Sequence, residues 1–352
     1  MQRLRPLLWL SGFYSVFILL WLVLRLSFSD RLWWVALLNY VAIYLFIPLP
    51  ILVVASVWNR RWPALTALSI PIVVFTLLYG TLFVPSLTLQ KGTLLTVMSF
   101  NVMFGNENAA ALARTIRALN PDIIGIQEVT PELARALAPE LAAAYPHTTL
   151  SAIASDPPGA DAVGILSKFP IDAATRFDLP GQRSAINPKT KVESISPGSR
   201  MGMLAVLRVN GKRLRVVSAD LDYNPTFRSP LNQWAVVATQ HYRDKVDEIK
   251  ILNRQLRQAS EPFLLLCDCN MAYTSEAHAQ LSTFARDSFR AVGWGLGHTI
   301  PVNLGVVSVP AGQRVDYIWH SDDFTAQAAI VGSDAGSSDH LPLIAKLQLA
   351  NL

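Results

Sequence analysis

Hydrophobic residues are distributed unevenly along the 352-residue chain, and most of the excess lies within residues 1–91. Three apolar stretches stand out there, at residues 7–24, 33–58 and 64–84. Each is close to the roughly 20 residues that an α-helix needs to cross the hydrocarbon core of a bilayer. The pattern therefore predicts an anchor of three transmembrane helices in residues 1–91 and a separate domain in residues 92–352.

The first apolar stretch has a second interpretation. It follows Arg3 and Arg5, as the apolar core of a secretory signal peptide follows a basic segment. The run is longer than a typical signal core, and two further apolar stretches come after it. We therefore favour a retained anchor over a cleaved signal.

Basic residues near the ends of the apolar stretches indicate an orientation. One side of the predicted anchor carries four of them and the other three: Arg3, Arg5, Arg60 and Arg61 against Arg25, Arg31 and Lys91. Cytoplasmic loops carry the excess of Lys and Arg. The small bias predicts a multi-pass protein of a bacterial cytoplasmic membrane, with residues 92–352 outside the cytoplasm.

From residue 92 the hydrophobic pattern changes to short apolar runs that alternate with amphipathic segments. The runs predict strands at residues 94–100, 121–129, 162–170, 202–221, 263–270, 314–321 and 341–349. The amphipathic segments predict helices at residues 109–119, 131–141, 233–259 and 275–289. The strand pattern at 202–221 contains Asn210-Gly211, a strong signal for a hairpin turn. The turn-rich sequence of residues 180–200 predicts a long loop. The alternation of strands and helices over residues 92–352 indicates a layered α/β domain.

The net charge of +5 suggests a nucleic-acid-binding protein until the chain is divided. Residues 1–91 hold seven basic residues and one acidic residue, a balance of +6, whereas residues 92–352 hold 23 basic and 24 acidic residues, a balance of −1. The basic character therefore belongs to the predicted anchor. A generally positive nucleic-acid-binding domain is disfavoured.

The chain has two cysteines, Cys267 and Cys269. Residues two apart on a strand share a face with Cα atoms about 6–7 Å apart, which is a poor geometry for a disulfide. We expect both cysteines to be buried thiols in the core. Asp268 and Asn270 should then share the opposite face of the strand.

Polar side chains stand at or near the ends of several predicted strands: Asn101, Glu128, Asp220, Asp268, Asn270, Asp316, Asp339 and His340. A single acid in such a place is usually a turn former or a helix cap. Eight of them predict a polar cleft where strand ends meet. Oxygen ligands of this kind suit Mg²⁺ better than zinc, which favours histidine and thiolate.

Five segments carry a more specific signal: SFN at 99–101, IQEV at 126–129, CDCN at 267–270, RVDYIWHS at 314–321 and SSDHLPL at 337–343. In this order they resemble the motifs of the endonuclease/exonuclease/phosphatase superfamily, which includes pancreatic deoxyribonuclease, apurinic endonuclease, neutral sphingomyelinase and inositol-polyphosphate 5-phosphatases. The match covers essentially all of residues 92–352. It implies a four-layer α/β sandwich, in which two mainly antiparallel sheets pack face to face with helices outside.

The predicted anchor, together with HTIP at 298–301, resembles the membrane-bound bacterial members of this superfamily associated with glycopeptide resistance. The superfamily resemblance also implies a metal site that holds Mg²⁺ or Mn²⁺. Asn101 and Glu128 would lie on the metal side, with Glu128 as the main ligand. Asp339 would lie close to the metal or to its bound waters.

The same resemblance implies the catalytic roles. Asp268 would orient or deprotonate the attacking water, and Asn270 would hold a phosphoryl oxygen. Asp316 would support His340 as a pair of carboxylate and imidazole. Phosphoryl transfer needs these functions, because charge must be neutralised and both nucleophile and leaving oxygen must be assisted.

One position departs from the superfamily pattern. Asp220 stands where a phosphate-facing histidine is expected, and a carboxylate repels a phosphate unless a cation lies between them. Asp220 would join a second metal site, or the enzyme would be weakened, or the phosphate would be held by basic neighbours, for which the candidates are Arg183, Lys189, Lys191 and Arg200. Tyr223 and His298 are further candidates for substrate contact, with structural or incidental roles as the alternatives.

The leading hypothesis is a membrane-anchored, metal-dependent phosphohydrolase. Anchoring would concentrate the site near lipid-borne substrates, such as phospholipid headgroups or polyprenyl phosphates. An anchored nuclease is an alternative, although the −1 balance of the domain argues against it. A non-catalytic phosphate-binding or scaffold subunit is the other alternative, motivated by Asp220.

Overall fold

The computed structural model describes residues 5–84, 92–157, 160–186, 193–197, 200–224, 226, 229–258, 260–304, 307–309 and 312–350. The helices are α1 (Arg5–Phe28), α2 (Trp33–Tyr40), α3 (Pro48–Trp58), α4 (Trp62–Ala67), α5 (Ser69–Tyr79), α6 (Ala109–Leu119), α7 (Pro131–Leu141), α8 (Leu150–Ala154), α9 (Trp234–Arg257), α10 (Glu276–Leu281) and α11 (Ser288–Val292). Short 3₁₀ helices lie at Ser29–Arg31, Ala42–Phe46, Gly80–Phe83 and Leu231–Gln233.

The strands are β1 (Gly92–Asn101), β2 (Ile123–Val129), β3 (His147–Thr148), β4 (Ala162–Ser167), β5 (Ile171–Leu179), β6 (Gln182–Ile186), β7 (Glu193–Pro197), β8 (Arg200–Val209), β9 (Lys212–Asp220), β10 (Phe263–Asp268), β11 (Arg286–Asp287), β12 (Val302–Leu304), β13 (Val307–Val309), β14 (Asp316–His320), β15 (Phe324–Val331) and β16 (Leu343–Ala350). Two six-stranded sheets contain most of them. Their strand orders are β15-β16-β1-β2-β4-β3 and β11-β14-β10-β9-β8-β5.

Each large sheet has one parallel pair of strands in its middle, and its other pairs are antiparallel. The parallel pairs are β1 with β2 in the first sheet and β9 with β10 in the second. Strands of a parallel pair end on the same side of their sheet. The carboxyl ends of four central strands are therefore available to build one site.

The two sheets pack face to face with helices on both outer surfaces. Between them lies a core in which Val97 and Ile123 of the first sheet join Val216, Leu264 and Ile318 of the second. The outer face of the first sheet packs on α6 and α7, and the outer face of the second packs on α9 and α10. The fold is an α/β sandwich of four layers, as the sequence resemblance implies.

Several predicted elements match the structure closely, including α6, α7 and the β8–β9 hairpin. The hairpin turn has Asn210 and Gly211 with positive φ angles of 50° and 82°, as its sequence predicts. The predicted helix at 275–289 is wrong, because the segment forms α10, β11 and α11. The Asp287 side chain accepts hydrogen bonds from the amides of Phe289 and Arg290 and so begins a new helix there.

Strands β5 and β15 were not predicted from the sequence pattern. Both lie at the edge of a six-stranded sheet, and each has a bulge in its pairing with the neighbouring strand. Much of each strand is half-buried or exposed, so neither presents the continuous apolar run on which the other strand predictions depended.

The prediction of three membrane-spanning helices is wrong for the part of the chain that the structure describes. One helix, Pro6–Arg31, is long and apolar enough to cross a bilayer. The second stretch is a pair of helices bent by 71° between Tyr40 and Ala42, and the third contains the shorter apolar helix Ser69–Phe83. Within the third stretch the helix is interrupted between Ala67 and Ser69. Pro71 explains this interruption, because proline lacks an amide hydrogen and clashes with the carbonyl four residues earlier.

The expectation that Cys267 and Cys269 stay as separate thiols is also wrong. The structure joins them in a disulfide with Cα atoms 5.0 Å apart. The strand spacing no longer applies, because β10 ends at Asp268 and Asn270 adopts a positive φ of 46°. Both cysteines are nevertheless fully buried in the core under α9 and α10, as predicted.

Gly125 of β2 lies where the first sheet comes close to the second. A methyl group at this position would come within 2.5 Å of Leu266 Cβ and 3.2 Å of Ser218 Oγ, on β10 and β9. We expect Gly125→Ala to lower the free energy of unfolding by about 1–3 kcal/mol, because neither neighbour lies at the end of a flexible chain. Thermal or denaturant unfolding of the full-length protein in detergent micelles measures the change.

Gly12→Ala is the matched control, because a methyl group there meets nothing within 4 Å. Its stability should equal that of the parent or exceed it slightly, since alanine favours a helix over glycine. Equal stability of the two variants would contradict the close approach of the sheets at Gly125.

Candidate active site

Three aspartates form a row across adjacent strands of the second sheet. Asp268, at the end of β10, pairs in register with Asp220 of β9 on one side and with Asp316 of β14 on the other. Neighbouring strands are about 4.8 Å apart. All three carboxylates are almost completely buried and face the space between the sheets.

Crowding and burial change the proton affinity of these groups. Burial and the neighbouring charge of Asp316 raise the pKa of Asp268 to about 7. Burial also raises the pKa of Asp220 well above its usual range, although Arg200 opposes that change. Asp268 can therefore accept or hold a proton near neutral pH within this buried row.

Asp316 and His340 form a hydrogen-bonded pair. His340 Nδ1 lies 2.9 Å from Asp316 Oδ2, which leaves Nε2 turned toward Asp268, 3.9 Å from its Oδ2. Burial opposes protonation, but Asp316 and Asp268 outweigh it and raise the pKa of His340 well above its usual value. The imidazole is therefore held as a cation that can donate a proton or a hydrogen bond.

The first sheet contributes the residues that orient this pair. The Asn101 side chain at the end of β1 donates a hydrogen bond of 2.9 Å to Asp268 Oδ2. Ser338 donates to the Asn101 carbonyl and accepts from the His340 amide, at 2.8 and 3.0 Å. The loop that carries His340 is thus tied to the same strand end that positions Asp268.

Glu128 reaches the site because β2 is irregular. The alternation of side chains along β2 would place Glu128 on the outer face with Ile124 and Ile126. Instead, Glu128 has a φ of 60° and lies in a bulge opposite β4. Bulges re-aim side chains in this way. Glu128 lies in one cluster with Asp220 and Asp268, with carboxylate oxygens within 4.8 Å of one another, and also accepts a hydrogen bond of 2.5 Å from the Phe104 amide.

Arg200, at the start of β8, is buried beside Asp220. Its guanidinium hydrogen-bonds to Asp220 Oδ2, and Nε lies 3.7 Å from Asp222 Oδ1. Its Cζ atom is 6.0 Å from the centre of the Tyr223 ring. A guanidinium therefore lies next to the carboxylate that departs from the superfamily pattern.

Two buried residues of α9 hold the ends of β9 and β10 together, and sequence reasoning missed both. The Lys245 ammonium donates to the carbonyls of Asp222 and Cys269, at 2.6 and 3.2 Å. Glu248 lies 3.0 Å from Lys245 Nζ and accepts a 2.6 Å hydrogen bond from the Asp222 amide. Their i,i+3 spacing is a weak signal, because most such pairs lie on exposed helix faces.

The donor set fits a hard divalent cation. Glu128, Asp220 and Asp268 offer clustered carboxylate oxygens, and among the described residues Asp220 Oδ1 and Asp316 Oδ1 are buried without a hydrogen-bond partner. Buried anionic oxygens need a counter-charge, and oxygen ligands of this type are those that Mg²⁺ and Mn²⁺ prefer.

The structure places the other predicted site residues less centrally. Asn270 lies beyond the end of β10, where its backbone amide donates to Asp268 Oδ1 and its side-chain amide donates to the Leu221 carbonyl, both at 3.0 Å. Asp339 is exposed and lies outside the two clusters of acidic and imidazole groups found among the described residues. Their predicted roles therefore stay predictions.

Tyr223 is half-buried beside Arg200, and His298 is buried in the segment before β14. Thr299, which follows His298, accepts hydrogen bonds from the amides of Val315 and Asp316 through its hydroxyl. The side chain of Arg183 and the whole of Lys189 and Lys191 lie outside the described part of the chain.

The Asp316–His340 pair generates a direct test in the metal-free protein. Asp316→Asn removes the carboxylate nearest the imidazole, so we expect the pKa of His340 to fall. NMR titration of histidine-labelled full-length protein in micelles measures it, with His340→Gln to assign the signal. Asp172→Asn, in a surface pair with Arg208, is the control and should leave the titration unchanged. An unchanged His340 titration in Asp316→Asn would contradict the pairing.

Known structures share this architecture at low sequence identity. An endonuclease/exonuclease/phosphatase from Beutenbergia cavernae is 19% identical, with a TM-score of 0.52 over 73% of this chain and 72% of that one. A family protein from Bacteroides thetaiotaomicron is 15% identical, with a TM-score of 0.54 over 74% of this chain and all of that one. The catalytic domain of human Nocturnin, solved with bound sulfate, is 14% identical, with a TM-score of 0.51 over 74% and 97% of the two chains.

At these identities the structural matches show the fold alone. No curated protein matches the chain. The sequence profile described as "Endonuclease/Exonuclease/phosphatase family" matches residues 98–340, which include the end of β1, all of β10 and β14, and His340. Members of this family are hydrolases that act on phosphoesters. The chain belongs to the endonuclease/exonuclease/phosphatase family.

Proposed function

We propose that this protein is a membrane-anchored, divalent-metal-dependent phosphohydrolase that acts on lipid-linked phosphoesters, such as phospholipids or polyprenyl phosphates. The observation that carries the chemistry is the buried row of Asp220, Asp268 and Asp316 beside His340 and Glu128. The family membership supports phosphoester hydrolysis as the reaction class.

The exposed surface of residues 5–84 supports the proposal that this segment attaches to a membrane. Of the 29 large hydrophobic side chains that are exposed among the described residues, 24 belong to this segment. Trp9, Phe13, Ile51, Trp58 and Leu77 are each more than half exposed. Soluble proteins rarely expose apolar surface on this scale, whereas a bilayer would cover it. The long helix Pro6–Arg31 is a candidate span.

Glu128, Asp220 and Asp268 are the residues that would hold the cation. A bound divalent cation supplies charge neutralisation for the phosphoryl oxygens. It would also offset the mutual repulsion of the three carboxylates, which burial otherwise makes costly.

The remaining roles belong to side chains of the protein. Asp268, held by the Asn101 amide, accepts a proton from the attacking water. His340, held by Asp316, donates its Nε2 proton or a hydrogen bond to an oxygen of the phosphoester. Because Asp268 lies close to His340, the base and the acid can both reach the reacting phosphoester.

The position of Arg200 supports one of the alternatives for binding phosphate, although Asp220 stands at the place of the expected histidine. We propose that its guanidinium replaces the family histidine as the cation that faces a phosphoryl oxygen, with Asp220 holding it in place. An arginine suits this role because it stays charged when buried and offers several donors. The pairing favours a basic neighbour over loss of function among the alternatives that the sequence leaves open.

Phosphate release is the central test. Purified full-length protein in micelles should release phosphate or a phosphorylated headgroup from at least one member of a panel of lipid phosphates, nucleotides and plasmid DNA, with Mg²⁺ and not with a chelator. Asp268→Ala and His340→Ala should each lower the rate by at least about 100-fold, because each removes a group that transfers a proton.

Asp322→Ala is the matched control, because Asp322 is exposed in a surface pair with Arg286. Its rate should equal that of the parent. Activity that survives chelation and both active-site substitutions would exclude the assignment. Hydrolysis of plasmid DNA without hydrolysis of lipid phosphates would favour the nuclease instead.

The orientation has its own test. We propose that residues 92–352 lie outside the cytoplasm, on the weak basis of the basic residues near the apolar stretches. Protease added to spheroplasts should then degrade this domain while a cytoplasmic marker stays intact. Protection of the domain until the spheroplasts are lysed would place it in the cytoplasm.

A further inference from the structure

The apolar N-terminal segment is fixed onto the catalytic domain by hydrogen bonds at the ends of its helices. Arg25 Nε donates to the Thr274 carbonyl at 3.1 Å, and the Glu276 amide donates to Asp30 at 2.6 Å. Thr274 lies four residues after Asn270, so the contact reaches the segment that directly follows the catalytic strand β10.

A second set of contacts ties the segment to the strand that carries Asp316. The Gln313 side chain donates to the Tyr40 carbonyl at 2.8 Å, and the Tyr44 hydroxyl donates to the Gly312 carbonyl. The Gly295 amide donates to the Leu82 carbonyl at 2.7 Å. The apolar segment is therefore docked on the loops on both sides of the catalytic strands.

A narrow cleft remains between the two parts, with about 470 Å³ of empty space that is partly open to solvent. The N-terminal segment contributes Ile43, Tyr79 and Leu82 to its walls, and the catalytic domain contributes Tyr273 and Leu296. Ligand pockets commonly combine such apolar walls with a few polar groups. We call this space the interdomain cleft.

Two polar residues of the cleft wall, His298 and Arg314, belong to segments that also hold the active site. Arg314 is two residues before Asp316 on the same chain segment, and its guanidinium is paired with Asp287. The residue after His298, Thr299, accepts hydrogen bonds from the Asp316 amide and from the Leu341 amide, next to His340. The segments that line the cleft therefore also contact the segments of the Asp316–His340 pair.

We infer that the interdomain cleft binds the hydrocarbon chain of a lipid phosphate whose head group lies at the active site. This inference rests on the proposed function and names the site that would select lipid substrates. The occupant follows from continuity: one wall is part of the apolar segment that a bilayer would cover, and the other belongs to segments that contact those of the catalytic pair. A chain could then stay in apolar surroundings while its phosphate reaches polar ones.

Photolabelling tests the cleft without relying on turnover. Full-length protein in phosphatidylcholine nanodiscs is exposed to dodecyl phosphate that carries a diazirine in its chain, and the labelled peptides are identified by mass spectrometry. We expect labels on the segments around Ile43, Leu82 and Leu296. Leu296→Trp and Ile43→Trp, two independent ways to fill the cleft, should each lower this labelling at least about tenfold.

Leu77→Trp is the control, because Leu77 is exposed on the outer surface of α5 and lies outside the cleft. It should leave the cleft labelling unchanged. Labels confined to exposed residues of α1 and α3, or undiminished labelling in both filling variants, would overturn the inference. Equal labelling by a dodecanol probe without phosphate would overturn the assignment of the head group. Normal labelling by a protein that hydrolyses nothing would count against the proposed function and not against the cleft.

Discussion

The concentration of acidic groups between two apolar sheets is the constraint on which the rest of this structure depends. Carboxylates at the ends of β9, β10 and β14 lie side by side and almost without water. Such an arrangement is costly unless cations and hydrogen-bond donors surround it. Arg200, His340 and the Asn101 side-chain amide each contact a carboxylate of the row and so help to meet this demand.

Each of these compensating groups comes from a different element. Arg200 begins β8, Asn101 ends β1, and His340 lies in the loop before β16. Both sheets therefore contribute groups that offset the buried acids, Asn101 from the first and Arg200 from the second. Arg200 and Asp220 form a buried ion pair, so the guanidinium offsets the charge of the carboxylate at the end of β9.

The N-terminal segment adds a second constraint, because it is bonded to the loops that follow β10 and precede β14. A catalytic domain on a flexible tether would sample many orientations over a bilayer. The contacts of Arg25, Asp30 and Tyr40 instead restrict where the site faces.

Much of the fold and site was readable from the sequence, because apolar runs, amphipathic periods and strand-end acids are local patterns. They predicted α6, α7, the β8–β9 hairpin and the polar cleft. Local patterns cannot show breaks that depend on packing. They therefore predict three membrane spans where the structure has one long apolar helix among the described residues, and they do not predict the edge strands β5 and β15. The Cys267–Cys269 disulfide escaped for the same reason, because the end of β10 at Asp268 changes the spacing on which the prediction rested.

The sequence by itself determined which chemical groups are present, their order, and the family motifs that relate them. The tertiary structure decided which groups meet. Glu128 faces the site because a bulge reverses its side, and Arg200 neutralises Asp220 because β8 lies beside β9. Lys245 reaches the same strand ends from α9. These contacts join residues far apart in the chain, so their energies depend on burial and distance, which no local pattern encodes.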